Sequence, residues 1–312
     1  MLTRTGTTML RGGRSEETVS KRAKGSEPST EPGRPRVRID RASCQALDAE
    51  AAYWLAPCQD ADDRAPSAGG CSPDRPDAAA AEFLLVHRDG RFELRPPGEH
   101  DRPGIHAKLP PDHSDHRTSG SAKSRAPLLR AMGTRTRRVI DATAGLGGDA
   151  CRLAMSGLPV WACERDPVVF ALLASGWHAA QRCGALSEEV AARIDLHRRD
   201  AREIVDALGD EWDLAIYLDP MYPPPRRASA KPRRELQVLR ALLGHSAGVG
   251  LDEAARLVEQ SRRKAARVVV KRPHHASPLV PGPDFEIESK LVRFDVYVNP
   301  ARMTPRAAAE GP

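Results

Sequence analysis

Short apolar runs alternate with longer segments of helical periodicity through the second half of the chain. Five runs read as buried strands: Arg138-Val139-Ile140-Asp141, Pro159-Val160-Trp161-Ala162-Cys163, Ile194-Asp195-Leu196-His197, Leu214-Ala215-Ile216-Tyr217-Leu218 and Arg267-Val268-Val269-Val270-Lys271. Between them the apolar spacing changes to that of helices, predicted from Asp149 to Ser156, Pro167 to Cys183 and Ala201 to Leu208. Two more helices, Arg233 to Leu243 and Leu251 to Arg263, come before the fifth strand. Strand and helix in alternation imply parallel βαβ units with right-handed crossovers. The last two elements, Phe285 to Lys290 and Leu291 to Val298, are joined too closely for a crossover and are expected to pair antiparallel. The predicted fold is therefore α/β and Rossmann-like, a mostly parallel sheet with an antiparallel C-terminal hairpin.

Upstream the pattern weakens. Glu82-Phe83-Leu84-Leu85-Val86, the turn His87-Arg88-Asp89-Gly90 and Arg91-Phe92-Glu93-Leu94 predict a β-hairpin. A loop rich in Pro, Gly and basic residues follows, then a helix from Pro127 to Met132. Residues 1–80 hold much Arg, Gly, Ser, Pro, Asp and Ala with little apolar periodicity, too little to offset the entropy of ordering. The expected division is a disordered basic extension over 1–80, a small N-terminal module with a basic loop over 81–135, the main domain over 136–300 and a disordered tail over 301–312.

Composition narrows the class. The formal charge is +6, which favours polyanionic partners. Six cysteines lie far apart, with no CxxC pair, and read as reduced thiols of a cytoplasmic protein. His100, His106, His113 and His116 are irregularly spaced and unaccompanied by paired cysteines, so no metal site is expected. No apolar run approaches the roughly 18 residues a membrane span needs.

The chemistry concentrates where strands end. Asp141 leads into Ala142-Thr143-Ala144-Gly145-Leu146-Gly147-Gly148-Asp149, a glycine-rich turn of the kind that lets a backbone approach a nucleoside cofactor. The glycine spacing alone admits both NAD and S-adenosylmethionine. Acids elsewhere tilt the choice toward the second. Asp141 is placed to brace the loop or meet an ammonium, Glu164 follows the second strand where ribose hydroxyls would donate, and Asp200 follows the third where an adenine amine would. The fourth strand delivers Asp219-Pro220-Met221-Tyr222-Pro223. Asp219 and the Pro220 carbonyl suit hydrogen bonds from a flat, poorly nucleophilic amine, and Tyr222 suits stacking on its ring. Basic residues His116, Arg117, Arg226, Arg227, Lys231, Lys271 and Arg272 flank this predicted pocket and are the candidates for holding an RNA backbone.

Several of these stretches are long and specific. Asp141 to Ala150, Glu164-Arg165-Asp166-Pro167-Val168-Val169, Tyr217 to Pro223, Val268-Val269-Val270-Lys271-Arg272-Pro273 and Arg293-Phe294-Asp295-Val296-Tyr297 resemble the ribosomal RNA small subunit methyltransferase J family over about Glu82 to Asn299. The resemblance implies a class I methyltransferase fold and S-adenosylmethionine as methyl donor. It also implies the N2 amine of a guanine in 16S ribosomal RNA as acceptor. By it, cofactor contacts fall on Gly148, Asp149, Glu164, Arg165, Arg199, Asp200 and Asp219, beside Asp141, Gly145 and Gly147 of the glycine turn. The sequence departs from the family at Gly148, where a charged residue is common, and at Arg199 and Asp200, where small hydroxyl residues are. Two rival readings stay open: an amino-group methyltransferase acting on DNA adenine or protein glutamine, and a non-catalytic RNA-binding or assembly protein of the same fold.

Overall fold

A seven-stranded sheet organises the protein, in the order β6-β5-β4-β7-β8-β10-β9. The computed structural model describes residues 35–40, 82–111, 126–209, 211–222, 232–244 and 247–303. The sheet strands are β4 (Arg138–Asp141), β5 (Val160–Cys163), β6 (Ile194–His197), β7 (Leu214–Leu218), β8 (Arg267–Pro273), β9 (Phe285–Glu288) and β10 (Val292–Val298). The pairs from β6 through β8 are parallel, whereas β10 pairs antiparallel with both β8 and β9. All five residues of β7 are buried, as expected of a central parallel strand covered on both faces. The chain winds outward from β4 through β5 to β6, then returns to β7 on the other side of β4. The reversal opens a crevice at the C-terminal ends of β4 and β7, where open sheets of this kind take ligands.

Helices cover the sheet: α1 (Pro127–Met132), α2 (Gly148–Met155), α3 (Pro167–Arg182), α4 (Glu188–Ala191), α5 (Ala201–Ala207), α6 (Arg234–Leu243) and α7 (Ala247–Lys264). The start of α3 is written locally. Pro167 occupies the first turn, where no amide donor is needed, and the Asp166 carboxylate accepts from the amides of Val168 and Val169 at 2.9 and 3.0 Å. Two helices differ most from the sequence reading. The four-residue α4 was not expected and is capped by Ser187, while α7 begins at Ala247, ahead of the expected Leu251.

The N-terminal hairpin is β2 (Phe83–Arg88) and β3 (Arg91–Arg95), closed by Asp89-Gly90 with both residues at positive φ. That is the twist-matched two-residue turn. Two expectations are corrected here. Order does not begin at Glu82: β1 (Val37–Ile39) pairs parallel with Phe83, Leu84 and Leu85, so part of the segment assigned to disorder completes a three-stranded sheet. Val37 and Ile39 provide the apolar alternation that makes this possible, packing on the same cluster as Phe83 and Leu85. Nor does the hairpin form a separate module. Phe83, Leu85, Phe92 and Leu94 share one core with Val168, Phe170 and Leu172 of α3, and the Phe92 amide donates to the buried Ser175 hydroxyl at 2.9 Å.

Candidate active site

The acids predicted at the strand ends do share one rim. Asp141 closes β4, Glu164 follows β5, Asp200 lies beyond β6 and Asp219 follows β7. Because these strands are parallel neighbours, their C-terminal ends lie side by side. The glycine turn is tied to this rim at both ends. Asp141 accepts from the Thr143 amide at 3.2 Å, and Glu164 accepts from the Gly145 amide at 3.1 Å and the Asp166 amide at 2.8 Å. Gly145 and Gly147 have φ of 55° and 79°. At Gly147 an added Cβ would also run into Leu173 Cδ1, so that position needs glycine on two counts.

The turn then hands Asp149 into the first turn of α2, where it meets β7 and β8. Tyr217 donates its hydroxyl to Asp149 Oδ2 at 2.6 Å, and Arg152 donates to Oδ1 at 2.8 Å. Lys271 Nζ lies 2.8 Å from both Asp149 Oδ2 and Asp219 Oδ2. Asp219 is positioned from its own backbone, whose amide donates to Thr143 Oγ1 at 2.7 Å. Asp219 is thus fixed beside the glycine turn, and Glu164 touches the same turn from the other side.

Burial sets the charge states. It drives the Asp141 carboxyl well above the usual range, with Asp149 adding repulsion. Glu164 is pushed up to about 7, chiefly by burial, against the amides of Asp166 and Gly145. At Asp149 burial also favours the neutral acid, but Lys271, Tyr217 and Arg152 outweigh it and hold the carboxyl low. At Asp219 burial prevails and raises it, although 38% of the side chain remains accessible and water softens the effect.

Several predicted roles change. Lys271 and Arg272 are not placed to grip an RNA backbone. Lys271 is engaged by two carboxylates, and Arg272, only 6% exposed, lays its guanidinium over the Tyr222 ring at 4.3 Å. Both sit on β8, whose extension to Pro273 carries them into the rim. Tyr222 has one ring face covered by Arg272, and its hydroxyl donates to the Lys271 carbonyl at 2.7 Å. Asp200 caps α5, accepting from the Arg202 amide at 2.9 Å and pairing with the Arg202 side chain. Arg165 is turned outward, 3.5 Å from Asp200 and 2.8 Å from Glu253, and Arg199 is exposed. Pro220 is buried behind Asp219. At Gly148 an added Cβ would find ordinary contact distances of 3.7 Å or more, so the backbone there does not by itself require glycine. His116, Arg117, Arg226, Arg227 and Lys231 lie outside the described residues.

Two residues of the site were missed from sequence. Thr143, set between two alanines of the glycine turn, carries no sequence signal for its bond to the Asp219 amide. Tyr217 carried a signal, since a tyrosine within a fully buried strand must find its hydroxyl a partner. Two clefts, one lined by Met132, Thr136 and Arg267 and the other by Arg262, Tyr297 and Asn299, border none of the rim acids. Among the described residues no group of His, Cys, Asp and Glu is arranged to hold a metal ion, and no helix is long and apolar enough to cross a membrane.

A strand-switch crevice with a glycine turn and an excess of carboxylates fits a cationic nucleoside: amides and small residues for close approach, Glu164 for ribose hydroxyls, and acids for sulfonium and ammonium charge. This is the fold and pocket of a class I S-adenosylmethionine-dependent methyltransferase. Known proteins agree. A family model described as "Putative SAM-dependent methyltransferase" matches residues 75–299. A ribosomal RNA small subunit methyltransferase J from Alkalilimnicola ehrlichii is 36% identical over 247 residues, covering 72% of this chain and 92% of the relative. One from Coxiella burnetii is 35% identical over 221 residues, covering 69% and 83%. The crystal structure of a SAM-dependent methyltransferase from Neisseria gonorrhoeae superposes with a TM-score of 0.56 at 26% identity, covering 84% of this chain and 95% of that one. The chain belongs to the ribosomal RNA small subunit methyltransferase J family, and its methyl donor is S-adenosylmethionine.

Proposed function

We propose that this protein methylates the exocyclic N2 of a guanine in 16S ribosomal RNA, acting on the small ribosomal subunit or its precursor in the cytoplasm. The observation that carries the reading is the placement of Asp219, fixed between the Thr143 hydroxyl and the Lys271 ammonium next to the glycine turn. When bound, S-adenosylmethionine supplies a methyl group already activated by its positive sulfur. The protein's task is therefore positioning. Gly145, Gly147, Gly148, Asp149 and Glu164 are the residues to hold the cofactor, with Asp141 bracing the turn and Arg165, Arg199 and Asp200 at the adenine end of the rim.

Asp219 and the Pro220 carbonyl would accept the two N–H groups of the guanine amine, aligning a nitrogen whose lone pair is otherwise drawn into the ring. Tyr222 offers the ring face that Arg272 does not cover as the stacking surface. The proton shed by the amine passes to Asp219 or to water. A carboxylate raised by burial accepts it more readily than an exposed one, while the Lys271 ammonium opposes that rise and favours the ionised form. His116, Arg117, Arg226, Arg227 and Lys231 remain the candidates for the RNA backbone, and Lys271 and Arg272 are withdrawn from that role.

The test is transfer of tritium from methyl-labelled S-adenosylmethionine, offered in parallel small-subunit particles, naked 16S RNA, duplex DNA and a protein extract. Label in guanine of RNA supports the reading. Label in DNA adenine or protein glutamine replaces it with another amino-group methyltransferase, and cofactor binding without transfer to any substrate replaces it with an assembly role.

A further inference from the structure

Lys271 has a place in the pocket that neither RNA binding nor packing explains. Its ammonium lies 2.8 Å from one oxygen of Asp149 and 2.8 Å from one oxygen of Asp219, so it bridges the residue that follows the glycine turn to the residue that faces the acceptor. Each carboxylate has a further tie, Asp149 to Arg152 and Tyr217, Asp219 through its backbone to Thr143. Among the described residues Lys271 alone joins the two. Among the described residues, Lys271 and Arg152 are the cations within ion-pair distance of these acids.

Charge around Lys271 is already matched. Asp141, Asp149 and Asp219 act electrostatically on one another and on Lys271. Burial favours the neutral form of Asp141, and at this end of the rim the carboxylates of Asp149 and Asp219 face the cations of Lys271 and Arg152. A cofactor carrying net positive charge must enter beside a lysine that has taken the natural position of a cation. The product meets no such cost, because the methyl leaves as the carbon–sulfur bond breaks, its electron pair stays on sulfur, and a neutral thioether remains. We propose that Lys271 is the resident cation of the cofactor pocket, and that its charge sets the balance of affinity between the cationic methyl donor and the neutral S-adenosylhomocysteine left after transfer. The inference rests on the methyltransferase reading of the pocket and not on which base is methylated.

The experiment is calorimetric titration of the full chain with S-adenosylmethionine and, separately, S-adenosylhomocysteine at one pH near 8 and low salt, for wild type, Lys271→Met, Lys271→Gln and Lys271→Arg. Removing a unit charge from a partly buried site is expected to shift the ratio of the two dissociation constants about tenfold toward the donor in the Met and Gln variants. Arg keeps the charge and is expected to hold the ratio within about twofold of wild type. A merely structural lysine would weaken both ligands alike, and an unchanged ratio in the neutral variants overturns the proposal. Should the neutral variants fail to fold, the nitrogen resonance of the Lys271 ammonium in the wild-type protein gives the same decision. It is expected to move more with the donor than with the product, and equal response to both overturns the proposal. Failure of wild type to bind either ligand would instead strike at the pocket itself.

Discussion

In the proposed reading methyl transfer depends on Asp219. Its side chain reaches Lys271 while its amide is held by Thr143, so the carboxylate is aimed before any substrate arrives. Asp219→Asn retains the shape but loses the charge and one strong acceptor. Turnover is expected to fall by about 10²- to 10⁴-fold, the usual range for a positioned acid–base group. The urea midpoint should change little, and a loss of label transfer matched by unfolding would refute the assignment. Glu164 makes a different prediction. Its carboxyl in the fold sits at about 7, above the ordinary 4.5, so the folded state favours the proton. Its contribution to stability is complete below pH 4.5 and is lost as pH rises through about 7. Cofactor binding runs the other way, because ribose hydroxyls donate to the ionised form. Affinity for S-adenosylmethionine should weaken by roughly tenfold per pH unit below that value and level off above it. Glu164→Gln should bind weakly with no such slope, and a slope that survives the substitution would point to another group.

The parallel sheet was legible because β4 through β8 are short apolar runs, those of β4 to β7 each leading to an acid, and their helices carry matching signals such as Asp166-Pro167. The shared C-terminal rim followed from that alternation, whereas the strand order with its reversal between β4 and β7 came only with the fold. β1 was hidden, since three residues in an Arg- and Pro-rich context show alternation only once Phe83, Leu84 and Leu85 offer them an edge. The shift of Lys271 from surface to pocket was hidden for a related reason. A basic residue after a buried strand reads as exposed unless the carboxylates converging on it, Asp149 from a helix and Asp219 from a neighbouring strand, are known to meet there. β1 itself is open to test. A chain starting at residue 35 and one starting at residue 41 should melt apart, the shorter one lower, by about 2–4 °C for each kcal/mol that β1 contributes. Coincident melting would show that the strand adds nothing to stability.

The formal charge of +6 and the basic stretches of the sequence around Arg117 and Arg226 bear on how a large polyanion is engaged. Neutralised phosphates release counterions, so RNA affinity should fall steeply as salt rises from about 50 to 200 mM. Replacing Arg226, Arg227 and Lys231 together by alanine should flatten the logarithmic salt dependence by about one unit for each phosphate no longer neutralised, without altering affinity for S-adenosylmethionine. An unchanged slope would remove that segment from the interface. The central proposal is that Asp219 presents the amine of a 16S guanine to a methyl donor held by the glycine turn and Glu164. The most direct measurement is mass mapping of methylguanosines in 16S RNA from a strain lacking the gene, complemented with the wild-type gene or with Asp219→Asn. The account predicts that one N2-methylguanosine disappears on deletion, returns with the wild-type gene and stays absent with the variant. An unaltered set of methylguanosines in the deletion strain would contradict it.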